Sequence, residues 1–377
     1  MRSLWPVSRA VAVAAASALG VAWAQSPSQH QFSMPTGLEL DTNASLAVAG
    51  VDDVWRWRAN PRYSFTRVQG TATWSVSAAA NIERSSNRAL SADRQDPSFA
   101  LAYRQQTPRS GWSVDASAAQ ASTRATELEE NGLVSLDRTQ TTYSLGWSGQ
   151  QALTERWTLS GGLNVRDIRY DTLSLVENRT TGVNTALGYN VSERETVSLQ
   201  ASTSRYRPGA GGVPGAARSS SNTGLTLAYN QALSATLDWG ARWGVVRVTG
   251  VNADTSWQGG VSLNYTGQVF TTSLDAGRNV TSSGQLGGFA TNHAVRAALG
   301  YALSERTRVG VNVSHTRNVG NSPTRDSAST VGFNTTTELT PFWQAVLSVQ
   351  QRRASRAAGK ASGQVVGVNF IYTNPDW

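Results

Sequence analysis

The stretch Gly182-Val183-Asn184-Thr185-Ala186-Leu187-Gly188-Tyr189-Asn190-Val191-Ser192-Glu193-Arg194 alternates between two kinds of residue. Val183, Thr185, Leu187, Tyr189 and Val191 occupy one phase, and Gly182, Asn184, Ala186, Gly188 and Asn190 the other. Beyond a polar turn at Ser192 the alternation resumes, with Val197, Leu199 and Ala201 set against Ser198, Gln200 and Ser202. A period of two is the mark of a β-strand with one apolar and one polar face. The turn recurs as Gly300-Tyr301-Ala302-Leu303-Ser304-Glu305-Arg306, and more loosely at Leu153-Thr154-Glu155-Arg156, Leu233-Ser234-Ala235 and Leu339-Thr340-Pro341. The repeat is about 36 to 44 residues long and carries two strands.

These strands run about 10 to 14 residues, roughly twice the length usual in a soluble sheet and enough for a tilted strand to cross a bilayer. Short turns alternate with longer polar connections, at Asn87 to Pro97, Pro208 to Arg218, Gly284 to Phe289 and Gly320 to Asp326. That asymmetry belongs to outer-membrane barrels, whose short turns are periplasmic. Short turns are expected at eight places: Gln69, Pro108, Thr154, Ser192, Ser234, Gly267, Ser304 and Thr340. With both chain ends periplasmic, eight turns predict an all-β, antiparallel up-and-down transmembrane barrel of about 18 strands. The count falls to 16 if the first pair, Leu38 to Gly50 and Trp55 to Arg67, is lost. A propeller would need four short strands per repeat, and a sandwich more large aliphatic residues than the chain offers. No outer connection reaches the length expected of a folded-in constriction or plug, so luminal side chains are expected to set any selectivity.

The N-terminus predicts export. Arg2 and Arg9 precede an apolar run, Ala10 to Val21, and Ala22-Trp23-Ala24 forms a cleavage site. We therefore expect a signal peptide at 1–24, a short periplasmic segment at 25–36, and the barrel over 37–377 in the outer membrane of a Gram-negative bacterium. His30 is expected to precede the barrel. The absence of cysteine excludes a lipoprotein anchor, disulfides and thiolate metal sites. No apolar run after the leader approaches the ~20 residues of a spanning helix. The formal charge of +8 falls to about +6 without the leader, and Lys360 is the only lysine.

The aromatics lie at a common distance from the turns. Tyr103, Trp147, Tyr189, Tyr229, Tyr265 and Tyr301 come a few residues before a short turn, on the apolar phase, while Trp157 and Trp343 follow one. This spacing predicts an aromatic girdle at one membrane interface. The last strand carries Val366, Val368, Phe370 and Tyr372 on one face. Here the chain resembles outer-membrane β-barrel (porin-like) proteins whose C-terminal strand ends in alternating aromatics. The resemblance implies the barrel assembly machinery as a partner during biogenesis, and outer-membrane lipid and lipopolysaccharide as surroundings. Thr373-Asn374-Pro375-Asp376-Trp377 carries the chain beyond the usual stop. The turn motif Gly-Tyr-x-[Leu/Val]-Ser-Glu-Arg is similar to that of barrels associated with exopolysaccharide and exosortase (PEP-CTERM) loci, which implies an exopolysaccharide as cargo. Glu-Arg also serves simply to solvate a tight turn.

The polar phase predicts what the barrel could carry. Arg56, Arg58, Arg62, Arg104, Arg166, Arg242, Arg296, Arg308 and Arg352 are expected to line the pore, with Glu83, Asp115, Asp238, Asp275 and Glu338. Such mixed charge can form ion-pair ladders that brace a wide barrel. The excess of arginine predicts a lumen that prefers anions. The primary expectation is thus a passive diffusion or export conduit; the alternative is a non-conducting accessory barrel of a surface export system. A third reading, an outer-membrane hydrolase, would rest on His293 and His315, near the outer strand ends, but no G-x-S-x-G or comparable motif accompanies them. No metal-ligand spacing or phosphate-cradling loop points to a cofactor, and a lumen rich in arginine accounts for the basic pI of about 10.2 without nucleic acid.

Overall fold

The computed structural model describes residues 28–49, 52–124, 126, 137–172, 175–209, 219–250, 253–283, 288–319, 326–356 and 359–374. The expected leader at 1–24 lies outside them. In chain order the strands are β1 (Ser28–Asp41), β2 (Val54–Ala59), β3 (Arg62–Gln69), β4 (Ala72–Ser85), β5 (Arg94–Gln106) and β6 (Ser110–Ser122). There follow β7 (Thr139–Ala152), β8 (Trp157–Tyr170), β9 (Asn178–Ser192), β10 (Glu195–Pro208), β11 (Ser220–Ala232), β12 (Leu237–Thr249) and β13 (Asp254–Thr266). The last six are β14 (Phe270–Ser283), β15 (Gly288–Ala302), β16 (Thr307–Val319), β17 (Ser327–Thr340), β18 (Trp343–Arg356) and β19 (Gly359–Asn374).

Apart from β2 and β3, which both pair with β1 and β4, each strand pairs antiparallel with its chain neighbours, and β1 pairs with β19 from Phe32↔Asn374 to Asp41↔Val365, closing the sheet. Closure leaves no unpaired strand edge, the condition for sheet in a hydrocarbon environment. β2 and β3 are one wall strand in two segments. Thr36 faces Ala59 and Ser33 faces Arg62 with no register slip across Asn60 and Pro61. Pro61 has no N–H to give to the ladder, and the pairing resumes past it. The wall therefore has 18 strands, as the repeat predicts.

All eight short turns fall where the alternation places them, and six have a common cause. The hydroxyls of Thr107, Thr154, Ser234, Ser304, Ser192 and Thr340 accept backbone N–H bonds from the second or third residue beyond, as in Thr307 N to Ser304 Oγ at 3.1 Å and Trp157 N to Thr154 Oγ1 at 3.0 Å. A side-chain oxygen that mimics a backbone turn explains the recurrent Ser/Thr. The following Glu-Arg pairs at 155–156 and 305–306 are exposed.

Three expectations need correction. The barrel begins at Ser28, so most of the segment 25–36 is wall strand. His30 accordingly lies within β1, its Nδ1 2.7 Å from the Tyr63 hydroxyl and its ring 5.0 Å from Phe65. The connection drawn from Asn87 to Pro97 ends earlier, because β5 starts at Arg94.

Candidate functional site: the inner face and outer mouth

Register separates the two faces of the wall, since residues opposite one another share a face. Leu145, Trp147, Val183, Leu187, Leu227, Trp243, Val295 and Leu347 belong to one exposed apolar face, with Trp243 62% exposed. Exposed apolar surface that encircles a closed sheet is the lipid-facing band of a membrane barrel. At its short-turn end the aromatics expected to form a girdle lie side by side. Tyr103 lies between Trp74 and Trp112, with ring centroids 4.4 and 4.8 Å away. Tyr189 meets Trp157 at 4.7 Å, Tyr229 meets Trp239 at 5.5 Å and Tyr265 meets Phe270 at 5.9 Å. Tyr301 is opposite Phe270, and Trp147 opposite Val114. The C-terminal signal joins the same belt through Trp343 and Tyr372, 5.2 Å apart. Trp74, Trp112, Trp239 and Phe270 were missed from sequence, although each follows a turn on the apolar phase, as Trp157 does.

The other phase faces inward. Glycines there stand opposite amides on the next strand: Gly182 opposite Asn164, Gly162 opposite Asn184, Gly310 opposite Asn334, and Gly332 opposite Asn312. A Cβ at Gly182 or Gly332 would come within 2.4 Å of the facing Oδ1, so the amide lies flat over the glycine. Short polar side chains therefore lie along the wall on this face.

The fourteen residues expected to line the pore divide into two sets. Arg56, Arg58, Arg352 and Glu83 converge at the outer end. Arg56, on β2, reaches Asp41 at 2.6 Å, Glu83 at 3.9 Å and Glu39, which it also hydrogen-bonds. Arg58 joins Glu39 at 2.6 Å and Glu83 at 2.9 Å, and Arg352 joins Asp41 at 2.5 Å from the far side of the closure. Arg56 is 1% exposed and Asp41 is fully buried. The network continues through Arg94, which binds Asp96 at 2.8 Å and Asp137 at 3.3 Å. A cavity of about 220 Å³ opens beside that pair, lined by Asp93, Gln120, Arg138 and Asp171 among others. Sequence reasoning missed Glu39, Asp41, Arg94, Asp96 and Asp137; the first four stand on the inward phase of their strands and were legible in principle.

The second set is spread along the wall. Arg62 faces Ser33 and Ala79; Arg104 faces Thr73 and Ser113; Arg166 faces Ser144 and Thr180; Arg242 faces Ala228 and Gly260. Arg308 faces Ala302 and Thr336, and Glu338 faces Gln344. Asp115 lies over Gly146, and Asp238 faces Ala232 and Asn264. Asp275 and Arg296 stand directly opposite each other. This part of the wall holds six arginines against four acids.

The mouth itself departs from the expectation that no segment folds inward. The connection after β1 turns in over β18 and β19: Leu46, 2% exposed, packs on Ala354 and Ala361, and Arg356 donates to the Leu46 carbonyl. Asn43 donates to the Ala47 and Ser362 carbonyls at 2.9 and 3.0 Å, and Arg124 reaches the Ala44 carbonyl at 3.2 Å from beyond β6. Burial, reinforced by the neighbouring charge of Arg56, pushes the Arg124 guanidinium down to about 10, so it stays charged at neutral pH. Ten ionisable side chains thus meet at the mouth: Arg56, Arg58, Arg94, Arg124 and Arg352 with Glu39, Asp41, Glu83, Asp96 and Asp137.

Across the mouth the β14–β15 hairpin leaves the wall. Pairing of β13 with β14 stops at Gly259↔Arg278, whereas β12 and β13 stay paired up to Val248↔Asp254. Phe289 and Val280 share the outward phase of Val295 and Leu274, yet they pack on Tyr206 and Val248, which are inward. The Phe289 ring is 6.2 Å from Tyr206, and both are buried. The end of the hairpin has therefore slipped inside, with its outer face stacked on the inner face of β10 and β12.

The two outer histidines lie on the lipid-facing phase. His293 stands between Arg278 and Arg317 in register. His315 Nδ1 is 2.8 Å from the Ser329 hydroxyl, and among the described residues no carboxylate pairs with it to orient a catalytic base. Likewise, among the described residues no group of three or more His, Asp or Glu is placed to hold a metal.

Comparison with known proteins places this geometry. No family profile and no curated protein sequence matches the chain. Solved structures do. Pseudomonas aeruginosa OccK3 (OpdO) aligns over 93% of this chain and 96% of its own at a TM-score of 0.53 and 10% identity. The outer membrane protein OpdK of the same organism aligns over 93% and 99% at 0.52 and 12%. A mutant of its ferric enterobactin receptor PfeA aligns over 94% and 81% at 0.50 and 8%. At such identities the likeness concerns the fold: an 18-stranded, closed antiparallel barrel of the outer-membrane porin type.

Proposed function

We propose that the chain is a passive conduit in the outer membrane, with a preference for anions. The observation that carries this reading is the division of one closed wall into an exposed apolar outer face and an inner face of Asn, Ser, Thr, Gly and mixed charge. A continuous polar inner surface has no function in a barrel packed dry, and 18 strands enclose more space than side chains fill. At the mouth four ion-paired arginines and the buried Arg124 stand against five carboxylates, so we assign selectivity to the wall below it. There Arg62, Arg104, Arg166, Arg242, Arg296 and Arg308 outnumber Asp115, Asp238, Asp275 and Glu338 by two. A small excess of fixed positive charge in a wide, wet lumen supports a modest bias. An acidic polysaccharide is the finer proposal for cargo, supported by the resemblance of the turn motif.

The test is the reversal potential of the purified protein in planar bilayers under a salt gradient. We expect anion over cation permeability, and its loss in Arg242→Gln/Arg296→Gln; cation preference in the unaltered protein overturns the proposal. The inward hairpin and the Leu46 loop favour one second reading, a barrel closed to solutes that serves an export system. Stable unitary conductance decides for the conduit, and silence for the accessory barrel.

A further inference from the structure

The lipid-facing phase carries arginines as well as apolar residues, and four of them recur at one height. Counting along single strands from the girdle, Trp74 leads to Arg84, Trp157 to Arg169, Phe270 to Arg278 and Trp343 to Arg353, on the same face and eight to twelve residues farther on. At about 3.3 Å per residue and a tilt near 40°, that interval spans roughly 20–30 Å along the membrane normal, the height of a barrel's apolar band. The arginines therefore sit at the opposite interface from the girdle, on the side of the longer loops, which is the outer leaflet.

Arg169 has local company. Asp167 joins Arg169 at 3.0 Å and Arg179 at 2.8 Å. One group does not. Arg278 on β14 stands directly opposite His293 on β15, which stands directly opposite Arg317 on β16. Ala276, Thr291, Val295, His315 and Val319 are the nearest residues of that face along these strands, Val280 having turned inside, so among the described residues of β14–β16 no acid stands beside the row. Arg278 Nε is buried without a hydrogen-bond partner, and the guanidinium stacks 4.8 Å from the Trp257 ring. Arg278 and Arg317 thus lie two strands apart with His293 between them, two guanidinium groups in one short row. A row of basic groups on an apolar surface calls for an anion that is itself carried by an apolar body, and arginine suits phosphate through its planar fork of donors.

We propose that the outward face of β14–β16, centred on Arg278 and Arg317, is a binding site for the phosphate groups of lipid A, the phosphorylated glycolipid of the outer leaflet. The acyl chains lie on the apolar band below, and Trp257 and Arg278 mark its upper edge. The site rests on the outer-membrane placement proposed above, but not on conduction. A barrel that conducts and ignores lipid A overturns this inference alone.

The experiment is titration of the detergent-purified barrel with bisphosphorylated lipid A, read by native mass spectrometry, alongside dephosphorylated lipid A and phosphatidylglycerol. We expect binding of the bisphosphorylated form at least tenfold tighter than either comparator, and a tenfold loss in Arg278→Gln/Arg317→Gln. Arg194→Gln/Arg306→Gln, which removes the same charge at the short-turn end, should bind as the unaltered protein does. Retention of an SDS-resistant, heat-modifiable band shows that each variant is folded. Equal binding of dephosphorylated lipid A means acyl contact alone, and equal binding of phosphatidylglycerol means a generic anionic surface; either overturns the proposal, as does an unaffected double variant.

Discussion

Arg56 shows what a single residue contributes to this wall. Its charge is taken almost wholly out of water, a cost that only several well-placed carboxylates can offset. Glu39, Asp41 and Glu83 supply them from β1 and β4, one strand away on either side. Replacing Arg56 by Met leaves Asp41, fully buried, and Glu83, 3% exposed, with less compensation than they need. We expect Arg56→Met to lower stability by about 3–5 kcal/mol, measured as a shift in urea-induced unfolding in detergent micelles. A change under about 1 kcal/mol, the worth of a surface ion pair, would mean that water reaches the network. The inward phase of Arg56, Arg58 and Arg352 is legible from alternation. Their meeting with Asp41 is not, because Asp41 and Arg352 are 311 residues apart and become neighbours only through barrel closure.

At the scale of elements, the recurring hairpin is nearly complete in the sequence. Period-two patterning sets which side chains share a face, and a Ser or Thr hydroxyl marks six of the eight short turns. The β14–β15 hairpin breaks from its siblings only in its last turn. Val280 and Phe289 keep the outward phase throughout, so nothing in the alternation signals that their strand end has slipped inside. The cause is a competition between partners: past Arg278, β14 loses its ladder to β13, and the apolar pair gains Tyr206 and Val248 instead. We expect Phe289→Ala to cost about 3 kcal/mol of local stability and to free the hairpin end. Hydrogen exchange at the Thr281 amide should quicken and unitary conductance should rise. Unchanged exchange and conductance would show that Phe289 does not hold the hairpin.

For the whole molecule, closure is the decisive event. β1 meets β19 over ten residue pairs while also pairing with β2 and β3. Deleting residues 28–36 removes the entire β1–β3 ladder and half of the β1–β19 ladder. We expect the deleted chain to fail to form an SDS-resistant band that changes mobility on heating, whereas the unaltered barrel does so. Survival of that band would mean that Gly37 to Asp41 suffice to seal the wall.

Alternation, turn hydroxyls and aromatic spacing are local properties, read within a dozen residues. They were enough to specify a closed antiparallel barrel and its strand number. The start of the first strand was misplaced because Pro35 and Gly37 interrupt its pattern, and its partners at the C-terminal end lie far off in sequence. The buried ion network, the inturned Leu46 loop and the slipped hairpin came from the tertiary structure alone. Each depends on which strands become neighbours across a closed lumen. Burial and pairing there are decided by three-dimensional proximity, which a period of two does not encode.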